Sequence, residues 1–182
     1  MLEIILILVY SSLFGLTMKF ADLLDEHGMR LFKGDSLVFG LLWGIFGLLS
    51  IISNVSVGNL ILATVLGFLT RMKLDYRNHA IAASIIVIGF FLFGTFQPLI
   101  FLPFYVVFVS LGSIRDFIRY KRLKASKFFK KFEKIFYYDF SYVIPSLVYS
   151  LITSDWILSY AAVMLTLFYD VAKFYGSREG HK

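Results

Sequence analysis

Apolar positions come in seven long runs, at 2–18, 37–53, 57–71, 80–96, 98–114, 137–153 and 156–174. Each is near the roughly 17–25 residues that an α-helix needs to cross a bilayer. The third and sixth lean on their flanks to reach that length. The pattern predicts an all-α, polytopic integral membrane bundle of about seven transmembrane helices, in a single domain covering 1–182. Three of the connections are short: "NVSVGN", "TFQP" and "TSD". Their Asn, Gly, Pro, Ser and Asp residues suit tight turns.

Charge orients the bundle. Those three turns carry no Lys or Arg, whereas all 18 Lys and Arg residues fall at the opposite ends of the runs. Cytoplasmic connections of membrane proteins hold the excess of basic residues. The expected topology therefore has the N-terminus outside and the C-terminus cytoplasmic, in a multi-pass protein of the cell membrane. The first run has only Glu3 as a charge before Lys19 and no small-residue cleavage site, so it reads as a retained helix. The tail "YGSREGHK" is expected to be cytoplasmic and unstructured.

Composition agrees with lipid as the solvent. Mean hydropathy is +0.79 and 16% of residues are charged, below the roughly 25% of soluble domains. The absence of cysteine excludes disulfides and thiolate metal sites. A pI of about 9.5 would raise nucleic acid as a partner of a soluble chain, but membrane topology accounts for it, and no nucleic-acid partner is expected. The segment 115–138 places Ala125, Phe128, Phe129, Phe132, Ile135 and Phe136 at spacings of three and four, with Lys124, Lys127, Lys130, Lys131 and Lys134 filling much of the other face. That is an amphipathic cytoplasmic helix suited to the headgroup plane of anionic membrane lipids, either as a topology anchor or as an attractor for an anionic lipid substrate.

The polar stretch "FADLLDEHGMRLFKGDS" (20–36) gathers Asp22, Asp25, Glu26, His27 and Asp35 at one boundary of the first hairpin. Asp22 and Asp25 are three apart and would share a helix face. Two carboxylates at a membrane boundary suit Mg2+, which completes its shell with water and substrate phosphate. Arg71, Lys73 and Arg77 lie on the next basic connection and could pair with a diphosphate. An ion-pair clasp between Asp22 or Asp25 and Arg71 or Arg77 would satisfy the same physics. Asp22, Asp25, His27, Asp75 and His79 could also build a transition-metal site, although ordinary interfacial roles are the simpler reading of both histidines. No serine-hydrolase elbow, H-E-x-x-H pair or phosphate-binding loop of the Walker type is present.

In the order "ADLLDEHG", "LTRMKLDYRNHAIAA" and "SIRDFIRYKR", the chain resembles the UbiA superfamily of intramembrane prenyltransferases. The resemblance implies a helical bundle around a lipid-lined cavity, Mg2+ held by aspartates, and transfer of a prenyl chain from a prenyl diphosphate to an acceptor. By position it implies metal-binding roles for Asp22, Asp25 and Asp116. It implies diphosphate contacts from Lys73 and Arg77, beside Arg71, with Asn78 where the following helix opens. Ala21, Met29, Arg119 and Tyr120 depart from the family pattern. The resemblance names no catalytic residue. The competing classes are a non-enzymatic membrane scaffold, for which Gly40, Gly44 and Gly47 would allow close helix approach, and a small transporter, whose polar path would draw on Ser11, Ser12, Thr17, Ser50 and Ser53.

Overall fold

The computed structural model describes residues 2–120 and 140–178. Over these the chain is helical: α1 (Leu2–Asp25), α2 (Asp35–Ser53), α3 (Val55–Thr70), α4 (Arg77–Phe93), α5 (Pro98–Tyr120), α6 (Phe140–Thr153) and α7 (Trp156–Arg178). From position 121 onward, the amphipathic segment predicted at 115–138 lies outside the described residues. α1, α2, α5 and α7 are long and apolar enough to cross a membrane, and α3, α4 and α6 are shorter apolar helices.

Local chemistry sets the boundaries. The turn predicted over "NVSVGN" contracts to one residue. Asn54 is extended, with φ −157°, and its side chain accepts from Val57 N at 3.0 Å. That N-cap starts α3 at once, so Val55–Asn59 are helical. Pro98 opens α5, where its missing N–H costs nothing. α7 continues through Tyr175 to Arg178, so the first half of the tail expected to be unstructured is helix. Gly176 allows this by packing on Leu23 of α1, where a Cβ would come within 2.6 Å of the leucine side chain.

Short-range packing holds the bundle, as expected where lipid supplies no hydrophobic drive between helices. α3 is the innermost helix, in contact with α2, α4, α5 and α7, and Val57 through Val65 are all buried. α1 packs between α2 and α7. Gly40, Gly44 and Gly47 face α4: added Cβ atoms would meet Asn78, Ile85 with Ala82, and Ile86. The glycine stripe therefore serves internal packing.

Polar side chains face inward and large apolar ones outward, a pattern compatible with a membrane protein. Ser11, Ser12, Thr17, Ser50, Asn59, Thr64, Asn78, His79, Ser146, Ser150 and Ser159 are buried. Outward-facing Phe91, Leu99 and Ile152 are 86%, 87% and 78% exposed, and apolar exposure recurs on α1, α2, α4, α5, α6 and α7. Large exposed apolar patches mark surfaces that meet a membrane or a partner.

Contacts between helix ends sort them into two groups. One end joins Asn59 to Thr95 and Gln97, and Ser56 to Asp155. The other joins Asp22 to His79, Arg71 to Asp116, and Leu23 to Gly176. The Lys and Arg residues of the described chain cluster at or beyond this second end.

Candidate functional site

The polar centre of the basic end begins with the way α1 stops. Gly28 adopts φ +71° and turns the chain so that Met29 N donates to Leu23 O at 3.0 Å. Met29 then buries itself against Leu23 and Leu24, the apolar contact that accompanies glycine-terminated helices. Asp35 closes the connection. It is 1% exposed and accepts from the backbone N–H groups of Leu31, Phe32 and Ser36 at 2.6, 3.2 and 2.8 Å. This carboxylate of the acidic stretch is thus consumed in folding the loop.

Across from α1, Asn78 anchors the start of α4. It is fully buried, its amide donates to Ala21 O at 2.9 Å, and its Oδ1 accepts from His79 N at 2.7 Å. Gly40 makes room for it, since a Cβ there would stand 2.8 Å from the Asn78 Cα. Asn78, expected among the diphosphate contacts, holds α4 against α1 and α2 and sets the position of its neighbour.

That neighbour is His79, 4% exposed. Its Nε2 lies 3.2 Å from Asp22 Oδ1. The ring direction misses the oxygen, so Nε2 is buried without an aligned hydrogen bond. The Asp22 carboxylate and the Lys73 backbone both stand within reach of the imidazole. Trp43 stands edge-on to the ring at 5.6 Å and Tyr76 at 5.5 Å. The buried Trp43 indole N–H also lacks a partner.

Glu26, one turn beyond Asp22, completes the group. One ligand atom each from Asp22, Glu26 and His79 lie within 4.8 Å of one another. Glu26 is exposed as a residue, but partial withdrawal of its carboxyl from water, followed by the nearby Asp22 charge, raises its pKa above the ordinary value; His79 and Lys19 oppose the rise. The second oxygen of Asp22 has its own supports. Tyr169 OH of α7 donates to Oδ2 at 3.2 Å, and Lys19 Nζ stands 3.6 Å from it. Lys19 also lies over the Tyr169 ring, 5.3 Å from its centre.

A second cluster sits beside the first. Arg71, 7% exposed, meets Asp116 of α5 at 2.7 Å, and Lys73 Nζ reaches the other oxygen of Asp116 at 3.8 Å. Gly112 leaves the space that the Arg71 guanidinium fills. Lys73 therefore joins the clusters, with its backbone on His79 and its ammonium near Asp116. Arg77 is exposed at the start of α4.

Neither a known protein family, nor a curated protein, nor a solved structure matches the chain.

Of the three aspartates expected to share a metal, Asp22 alone belongs to the three-ligand group. Asp25 is half-buried and outside it. Asp116 is held by Arg71 and Lys73. Glu26 and His79 take the places beside Asp22. Their signal was the spacing of four in Asp22-x-x-x-Glu26, which brings residues together on a helix as well as a spacing of three does.

Proposed function

We propose that this chain is a multi-pass enzyme of the cell membrane that engages the headgroup of a phosphorylated, apolar-tailed substrate at its basic end. It crosses seven times, with the N-terminus outside and the C-terminus cytoplasmic. One observation carries the reading: the connection between α3 and α4 sets a carboxylate–imidazole group beside a basic group, with Lys73 contributing to both. A phosphate ester needs that pairing, cation ligands on one side and Arg or Lys on the other. In the form implied by the UbiA resemblance, the substrate is a prenyl diphosphate, Mg2+ assists, and the prenyl chain passes to an acceptor as diphosphate leaves. Asp22 and Glu26 then face the cation side, while Lys73 and Arg77 face the diphosphate.

The test is binding of geranylgeranyl diphosphate to detergent-purified protein, with and without divalent cation, beside Asp22→Asn and Arg77→Gln variants. Cation-dependent binding that both variants weaken supports the reading. Lack of binding under every condition overturns it.

A structural clasp is the second reading, favoured by the bond from buried Arg71 to Asp116. In that case the same residues fasten α1 to α4 and α3 to α5, and the chain acts as a scaffold.

A further inference from the structure

We infer that Asp22, Glu26 and His79 form a binding site for one divalent transition-metal ion of the Mn2+ or Zn2+ class. The inference deepens the proposed function by naming its cation, and rests on that reading only for the phosphate that would complete the coordination shell.

The first argument is the gap between His79 and Asp22. His79 Nε2 is buried, makes no aligned hydrogen bond and stands 3.2 Å from Asp22 Oδ1. An imidazole nitrogen and a carboxylate oxygen held that close need a positive charge between them, which either a proton or a metal ion supplies. Ligand atoms bound at about 2.1 Å to one metal are themselves about 3–3.5 Å apart. The His79–Asp22 separation already has that value. The full group, within 4.8 Å, closes by roughly 1 Å on rotation of Glu26, whose exposed position permits it.

The second argument is the support around the ligands. Metal-bound histidines typically donate their other N–H to a carbonyl or carboxylate, and ligating carboxylates are themselves hydrogen-bonded. The Lys73 backbone plays the first part, and Tyr169 OH and Lys19, both on Asp22 Oδ2, play the second. The open oxygen of Asp22 is thereby aimed at His79.

The donor set chooses the ion. Carboxylate and water oxygens suit Mg2+, Ca2+ and Mn2+, while an imidazole nitrogen suits Zn2+, Fe2+ and neighbouring metals, so a site with two carboxylates and one imidazole draws on both groups. With three protein ligands, positions remain open for water or a phosphate oxygen. Asp75, in the α3–α4 connection, is a further carboxylate close enough to act on the Glu26 carboxyl.

The experiment uses full-length, tag-free protein in detergent, stripped with chelator and without lipid phosphate. Mn2+ binding is followed by loss of the free-ion electron paramagnetic resonance signal, and Zn2+ and Mg2+ by calorimetry. The expected result is one Mn2+ or Zn2+ per chain and Mg2+ at least about tenfold weaker. His79→Gln and Asp22→Asn abolish binding, and Tyr169→Phe weakens it about 10- to 100-fold. Glu26→Gln, at an exposed loop position where folding is not at stake, weakens Mn2+ binding at least about tenfold and keeps the test open if the buried variants misfold. Absence of stoichiometric binding, or binding that Glu26→Gln leaves unchanged, overturns the site. Metal binding without prenyl diphosphate binding contradicts the proposed function alone, and the converse contradicts this inference alone.

Discussion

His79 Nε2 and Asp22 Oδ1 face each other at 3.2 Å across the junction of α1 and α4, although 57 positions separate the two residues in the chain. Asn78 establishes this approach by tying α4 to the Ala21 carbonyl. Replacing Asn78 with Ala removes the tie and takes the acceptor from the His79 backbone N–H in the first turn of α4. The expected loss is about 1 kcal/mol, in the range measured for interhelical hydrogen bonds in membrane proteins, together with weakened Mn2+ binding through a displaced His79. Thermal unfolding in detergent and metal titration check both.

Gly40→Ala tests the same junction from the opposite side. Its Cβ would press on the backbone of Asn78, which cannot step aside as a flexible side-chain end can. Overpacking of this kind costs about 1–3 kcal/mol. The variant is expected to lose both stability and metal binding, and a wild-type unfolding midpoint would refute the close contact.

Much of this architecture was readable in the chain. Apolar runs and the one-sided distribution of Lys and Arg located the helices and the basic end, because length and charge are the properties a bilayer constrains. The turn at Asn54 is shorter than its sequence suggests, since Val55 and Ser56 look like loop residues until the Asn54 side chain caps Val57. The polar centre is legible in part. The sequence points to Asp22, Lys73 and Asn78, but the spacing of three from Asp22 to Asp25 looks as favourable as the spacing of four to Glu26, and Glu26 is the one grouped with Asp22 and His79. His79 read as an ordinary interfacial residue because its burial depends on Gly40 and Trp43 of another helix, which no local pattern reveals.

Glu26 makes the stability of the metal-free protein depend on pH. Its folded pKa is raised, so its favourable contribution is complete below the ordinary carboxylate value and is lost as pH rises through the raised one. Glu26→Gln should therefore raise the unfolding midpoint more at pH 8 than at pH 4, and saturating Mn2+ should reverse the difference at pH 8. Equal effects at both values would contradict a raised Glu26 pKa, whether from burial or from Asp22.

The Arg71–Asp116 pair predicts a measurable loss on Asp116→Ala. Breaking a fully buried pair costs roughly 3–5 kcal/mol. Asp116 is 29% exposed and Lys73 is nearby, so the expected cost falls below that range, at about 1–3 kcal/mol. A double-mutant cycle with Arg71→Met should show positive coupling, and additivity would contradict the pairing.

Orientation is directly testable because the chain has no cysteine. In intact cells, a membrane-impermeant maleimide should label Ser154→Cys and should reach Lys33→Cys only after permeabilisation. The opposite pattern would invert the topology.

The most direct measurement of the central claim is the affinity for geranylgeranyl diphosphate at zero and at saturating Mn2+. If the carboxylate–imidazole group and the neighbouring basic residues form one headgroup site, Mn2+ tightens prenyl diphosphate binding, and by linkage the prenyl diphosphate tightens Mn2+ binding by the same factor. Affinities that do not respond to each other would contradict a shared site and leave the basic end as a clasp between helices.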